Sequence, residues 1–212
     1  MKYMLVLLTV LFISAASVFP QSFKVKAKGT QTFNFEDKLG RNQAAFSSST
    51  PLEDFTGTAN AISGSLSFDV NNFAKTLKGK IIVKVASINT GIELRNHHLQ
   101  SANWLNASKY PDITFEIKSV SDLKQTADNK LEFKVTGNFT LHGVTKQITV
   151  DAEATYLDEN DQTRTRAPGD LLGVHAKFNV KLSDYNIDND VIGSKVAENV
   201  DVKVNIVGSN KI

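Results

Sequence analysis

The chain has 212 residues, 24 Lys and Arg against 22 Asp and Glu, and a formal net charge of +2. Basic and acidic residues alternate along it without a basic run, which excludes the charged stripe of a nucleic-acid-binding protein. It has 0 Cys, and therefore no disulfide and no lipid-modified cysteine, and its length suits one large domain better than two small ones.

Residues 1–22 read as a secretory signal. Lys2 precedes an apolar core from Leu5 to Ile13, and small residues follow toward a cleavage site expected between Ala16 and Ser22. The apolar run falls short of the roughly 20 residues a membrane span requires, so no transmembrane segment is expected after its removal; an uncleaved anchor is the competing reading. Export without disulfides predicts a periplasmic or secreted protein whose single domain, residues 23–212, is held together by its core alone.

From residue 23 onward the pattern is almost everywhere period two. Phe23, Val25 and Ala27 alternate with Lys24, Lys26 and Lys28 and predict a first strand. Residues 32–40 are polar and turn-like, and Ala45-Phe46 and residues 52–55 are short extended pieces broken by Pro51. Residues 62–70 form a clearer strand carrying Ile62, Leu66, Phe68 and Val70, and residues 71–76 a short connection with room for one helical turn. Ile81, Val83 and Val85 then share one side of a strand over residues 78–89.

Residues 89–115 are the one long segment past the signal that is neither strand-like nor disordered in composition. Thr90-Gly91 ends a strand, and Ile92, Leu94, Leu99 and Trp104 fall at helix-like intervals around Arg95, Asn96, His97 and His98. A short helical cap is predicted, with Tyr110-Pro111 marking re-entry into the sheet.

Past it, Ile113, Phe115, Ile117 and Val120 continue as a strand, Asp128-Asn129 is a turn, and Leu131, Phe133, Val135, Gly137, Phe139 and Leu141 share one face of the next strand. Gly137 predicts a bend or bulge of the kind a curving wall needs. His142-Gly143 closes a tight hairpin, and Ile148, Val150, Ala152, Ala154 and Tyr156 line the returning strand. Residues 158–169 read as a charged, solvated, mobile loop. A strand over residues 172–183 with Val174, Ala176, Phe178, Val180 and Leu182 on one face, a polar loop, and a closing strand with Val200, Val202, Val204 and Ile206 complete the chain.

The sum is roughly eight amphipathic strands with no amphipathic helix to cover a sheet. Such a set closes into an antiparallel barrel, which removes its exposed edges, or packs as a β-sandwich. Periodicity alone leaves both open.

Catalytic and metal chemistry find little footing. His97 and His98 are adjacent and so point apart on a strand or helix, and His142 and His175 are isolated. There is no nucleophile elbow and no glycine-rich phosphate loop, and the paired carboxylates Glu53-Asp54 and Asp188 with Asp190 lie in turns where acidic residues serve solubility. No catalytic residue, metal or cofactor is expected. The aromatic bulk is instead apolar, 13 Phe against 4 Tyr and 1 Trp.

Two blocks carry a family resemblance. Thr90-Gly91, Arg95, His98-Leu99, Ser101, Trp104, Tyr110-Pro111 and Thr114-Phe115 form the first; Gly137-Asn138-Phe139-Thr140-Leu141-His142-Gly143-Val144-Thr145 forms the second. Together they resemble the YceI-like family. This chain departs from the family pattern in having Asn96 for an Asp and Trp104-Leu105 for a Phe pair. The resemblance implies a periplasmic, lipocalin-like barrel, here of roughly eight strands with a short helical cap, that holds a polyisoprenoid or similar amphiphilic lipid such as a quinone. Alternation and resemblance together place Phe46, Phe68, Phe115, Phe133, Phe139, Leu141 and Phe178 in the lining, with Arg95, His98 and Trp104 at the mouth, where they would meet the lipid head. Two other readings stay open: an enzyme acting on such a lipid, and a filled barrel serving as an interaction or stress-related protein. A homodimer is left open too.

Overall fold

The structure, a computed structural model, describes residues 21–211; the expected signal lies outside them but for its last two residues. The first half of the chain supplies β1 (Thr30–Asn34), β2 (Gln43–Ser49), β3 (Asp54–Ala59), β4 (Ile62–Asp69), α1 (Phe73–Thr76), β5 (Lys78–Lys84), β6 (Ile88–Asn89) and α2 (Glu93–Gln100). The second supplies the long strands β7 (Asp112–Ala127), β8 (Lys130–Leu141), β9 (Val144–Leu157), β10 (Leu171–Lys181) and β11 (Asn199–Ser209), with the single turn α3 (Asp161–Arg164) between β9 and β10.

Eight strands, in the order β1, β4, β5, β7, β8, β9, β10, β11, run round an antiparallel barrel that closes where Asn34 of β1 meets Ser209 of β11. At the other end of β11, Asp201 pairs with Ser47 of β2, and β2, β3 and β6 extend the wall beside the α2 cap. That capped end is the mouth and the opposite end the base.

The strands form where alternation is cleanest. Along β8, Leu131, Phe133, Val135, Gly137, Phe139 and Leu141 are buried and their neighbours are not, a period of two that puts one face inside. His142 and Gly143 both have left-handed φ, +50° and +76°, the pairing that a two-residue hairpin turn between twisted strands requires.

Three expectations are corrected. Residues 23–28 do not join the sheet: Lys24 N donates to Asp128 O and Lys26 N to Asp158 Oδ1, so the segment crosses the base while Phe23 inserts beneath the barrel. The first strand is β1, whose polar Thr30, Gln31 and Thr32 hid it and whose single large apolar side chain, Phe33, is fully buried. The strand over residues 78–89 is broken by a 3-10 turn at Val85–Ser87.

The segment read as a solvated loop, residues 158–169, is also tied down. Asn160 and Thr163 form a capping box on α3, Tyr156 Oη donates to Asp170 Oδ2 at 2.7 Å, and Glu159 accepts from Gly169 N, Arg164 and Lys211. The Gly169 amide first, then the Lys211 and Arg164 side chains, lower the Glu159 carboxyl to about 2.

A polar knot secures the wall near the base. Buried Asn42 donates Nδ2 to Phe35 O and Val207 O and accepts at Oδ1 from Val207 N and Arg166 Nη2. Arg166 also donates to Asp37 Oδ2 at 2.7 Å, beside Arg41. Burial raises the Asp37 carboxyl, but hydrogen bonds from Arg41, Arg166 and the backbone of Leu39 outweigh it and hold the group far below its ordinary 3.8. A folded-state value below the unfolded one gives stability that is present above pH 3.8 and is lost as the pH falls toward the folded value. Asp37→Asn should therefore destabilise the protein at pH 7 and flatten the acid limb of its stability profile, measured by urea unfolding from pH 7 to pH 3.

Candidate ligand-binding site

The lower part of the barrel is solid. Phe33 stacks on Phe68 at 5.7 Å, Phe23 and Phe73 meet edge to face at 5.4 Å, and Tyr156 packs edge-on against Phe33 at 5.4 Å. Above this plug the interior holds a cavity of about 240 Å³. On β8 its lining runs from Phe133 to Leu141, eight residue steps. At about 3.3 Å per step and a barrel tilt of about 40° this is roughly 20 Å of depth, and such a volume spread over that depth makes a slot about one hydrocarbon chain wide.

The lining is apolar almost throughout. Among the described residues no ionisable side chain lines it, and only Ser48, Thr114 and Trp104 bring a polar side-chain atom. Ser48 Oγ is already occupied, accepting from Ala197 N at 2.8 Å.

Two glycines keep the slot from filling. A Cβ on Gly57 would lie 2.3 Å from Phe46 Cζ, and one on Gly137 would lie 2.5 Å from Phe115 Cζ. Each ring tip thus occupies the space of an absent side chain on the neighbouring strand. The rings lie against the wall instead of standing across the lumen. The expected bend at Gly137 coincides with this seat and with a register shift in the facing β7 between Ile117 and Ser119.

At the mouth, α2 and the turn after it place Leu99, Trp104 and Leu105 over the opening. Arg95 Nη2 donates to Glu53 Oε1, and its guanidinium lies 4.5 Å from the centre of the Phe55 ring, so it fastens the cap to the β2–β3 turn. The ladder between β9 and β10 stops at Asp151 and Lys177; beyond it Tyr185 and Ile187 fill the gap. Lys146 Nζ meets Asp184 there at 2.8 Å, and His142 Nδ1 donates to Tyr185 O at 3.1 Å. Burial, then the Asp184 charge, raise the Tyr185 phenol, whereas the Lys146 hydrogen bond lowers Asp184.

The lining includes Phe46, Trp104, Phe115, Phe133, Phe139, Leu141 and Phe178. Phe68 is corrected: it lies below the floor because the inward face of β4 continues toward the base, where Phe33 on the neighbouring strand fills the space above it. Arg95 and His98 stand on the cap outside the lining, Arg95 committed to Glu53 and His98 exposed. Phe73 and Ile187 line the cavity without having been singled out. A lone Phe in the polar stretch Asn71-Asn72-Phe73 was the available signal for the first; Ile187, isolated among polar loop residues, gave none.

A family model, the YceI-like domain, matches residues 23–208. The chain belongs to the YceI-like family. The family likeness is carried by curated relatives such as Protein YceI of Escherichia coli O157:H7, 31% identical over 200 residues covering 93% of this chain and 92% of the relative. Among solved structures, Burkholderia cenocepacia BcnA shares the fold with a TM-score of 0.62 at 22% identity, over 80% of this chain and 98% of that one. A polyisoprenoid binding domain from Saccharophagus degradans, implicated in plant cell wall breakdown, also gives 0.62, at 15% identity over 87% and 99% of the two chains.

The two YceI-like sequence blocks meet in space. Tyr110 lies edge-on to His142 at 4.9 Å, and a Cβ on Gly143 would strike the Tyr110 ring at 2.3 Å, so the ring seats on the hairpin turn. Asn96, where the family pattern has Asp, accepts from both Thr90 N and Thr90 Oγ1 at 2.8 Å and donates to Asn89, binding α2 to the end of β6. A neutral side chain suffices there because Arg95 draws its counter-charge from Glu53.

Proposed function

We propose that this protein holds the hydrocarbon tail of an amphiphilic isoprenoid lipid, of quinone or polyprenyl type, and carries it in the periplasm or outside the cell without acting on it chemically. The observation that supports this is the deep apolar slot in a barrel whose family includes relatives of that fold. Each methylene-sized group buried there contributes about 0.8 kcal/mol, so about ten give roughly 8 kcal/mol before association costs of at least about 4 kcal/mol, and affinity should rise with every further group the slot takes in. No helix among the described residues is long and apolar enough to cross a membrane.

Native mass spectrometry with organic extraction of the purified protein tests the reading, which expects a co-purifying prenyl lipid; an empty protein contradicts it. Because recognition rests on the tail, Arg95→Met and His98→Ala should each leave the extracted lipid within about threefold of wild type, whereas an enzyme that used either residue would lose turnover.

A further inference from the structure

We propose that Phe73 sets the length of tail the barrel accepts. The proposal deepens the carrier reading and rests on it. On three strands the lining stops at the base: Phe133 lines the cavity but Leu131 does not, Ala154 does but Tyr156 does not, and Leu66 does but Phe68 does not. The excluded residues are at most 1% exposed, so nothing passes below them.

The ring that closes this level comes from no strand. Phe73 opens α1, lines the cavity from below, and rests on the plug, 4.9 Å from the Phe68 ring and 5.0 Å from that of Phe133. Its position is set by the turn that carries it: Thr76 Oγ1 donates to Asn72 O and accepts from Asp69 N at 2.9 Å, while Leu77 N donates to Phe73 O. Ala152 and Ala154 on β9 are too small to fill the lumen at this depth, so the size of residue 73 decides where a chain must stop.

Titration with all-trans prenyl alcohols of increasing isoprene number tests this, read by the fluorescence of Trp104, the 1 Trp of the chain and itself at the cavity. Wild type should gain affinity with each unit until a limiting length. Phe73→Leu should raise that limit, binding the first unit beyond the wild-type limit at least about tenfold more tightly, and Phe73→Trp should lower it with a loss of similar size. An unchanged limit in both variants overturns the proposal while leaving the carrier reading intact. Failure of the wild type to bind any length overturns both. Should either variant fail to fold, Ala152→Leu narrows the same level from the opposite wall; a shorter limit supports the floor and an unmoved one overturns it.

Discussion

Phe33→Ala is expected to lower the free energy of unfolding by about 3–5 kcal/mol, while Phe178→Ala, an equal truncation, should cost only about 1–2 kcal/mol in the ligand-free protein. The difference follows from where the two rings sit. Phe33 has no exposed surface and is held between Phe68 and Tyr156, so its removal opens a new void in a close-packed region. Phe178 already faces the cavity, and its removal enlarges a space the barrel maintains. Urea unfolding of both variants after delipidation measures the contrast. Equal losses would mean that the barrel is packed uniformly from base to mouth.

The second large effect concerns the lumen itself. Gly57→Ala places a methyl group on the seat of Phe46, and the atoms it meets, Phe46 Cζ and Cε1 and Thr90 Cγ2, belong to side chains that can move. Phe55 and Ala59, two residues to either side of Gly57 on β3, line the cavity together with Phe46, so a ring driven off its seat moves toward the lumen. The expected result is a modest loss of stability, about 1–3 kcal/mol, with tail affinity reduced at least about tenfold because the displaced ring takes the place of bound hydrocarbon. Thermal unfolding and prenyl alcohol titration report the two effects separately. Unchanged affinity would show that Phe46 does not border the occupied part of the slot.

The long strands β8 to β11 were legible because each holds the two-residue period over a long run, as from Leu131 to Leu141, and β7 was legible from its first half, Ile113 to Ile117, before the register shifts break the period. The cap was legible from the break in that period, and its outward connection to Glu53 was not, since a contact across 42 residues leaves no local pattern. At the N-terminal end the same rule misled. Phe23, Val25 and Ala27 alternate because they lie across the base with one apolar side inward, an arrangement that needs no ladder. The division between plug and slot was also invisible: Phe68 and Phe133 have the same place in the alternation, and only the rings packed around them from other segments decide which one borders space. Glycine seats belong to the same class. Gly137 signals a bend, but that Phe115 from the facing strand lies over it depends on register.

The central claim is that the slot above the Phe73 floor is vacant room for a foreign chain, and a crystal structure of the protein as purified tests it most directly. Tubular electron density is expected from beneath Trp104 down to Phe73, with no polar contact along its length. Density showing the lumen closed by its own side chains, with Phe46 and Phe115 turned across it, would mean that the barrel has no room for a lipid tail.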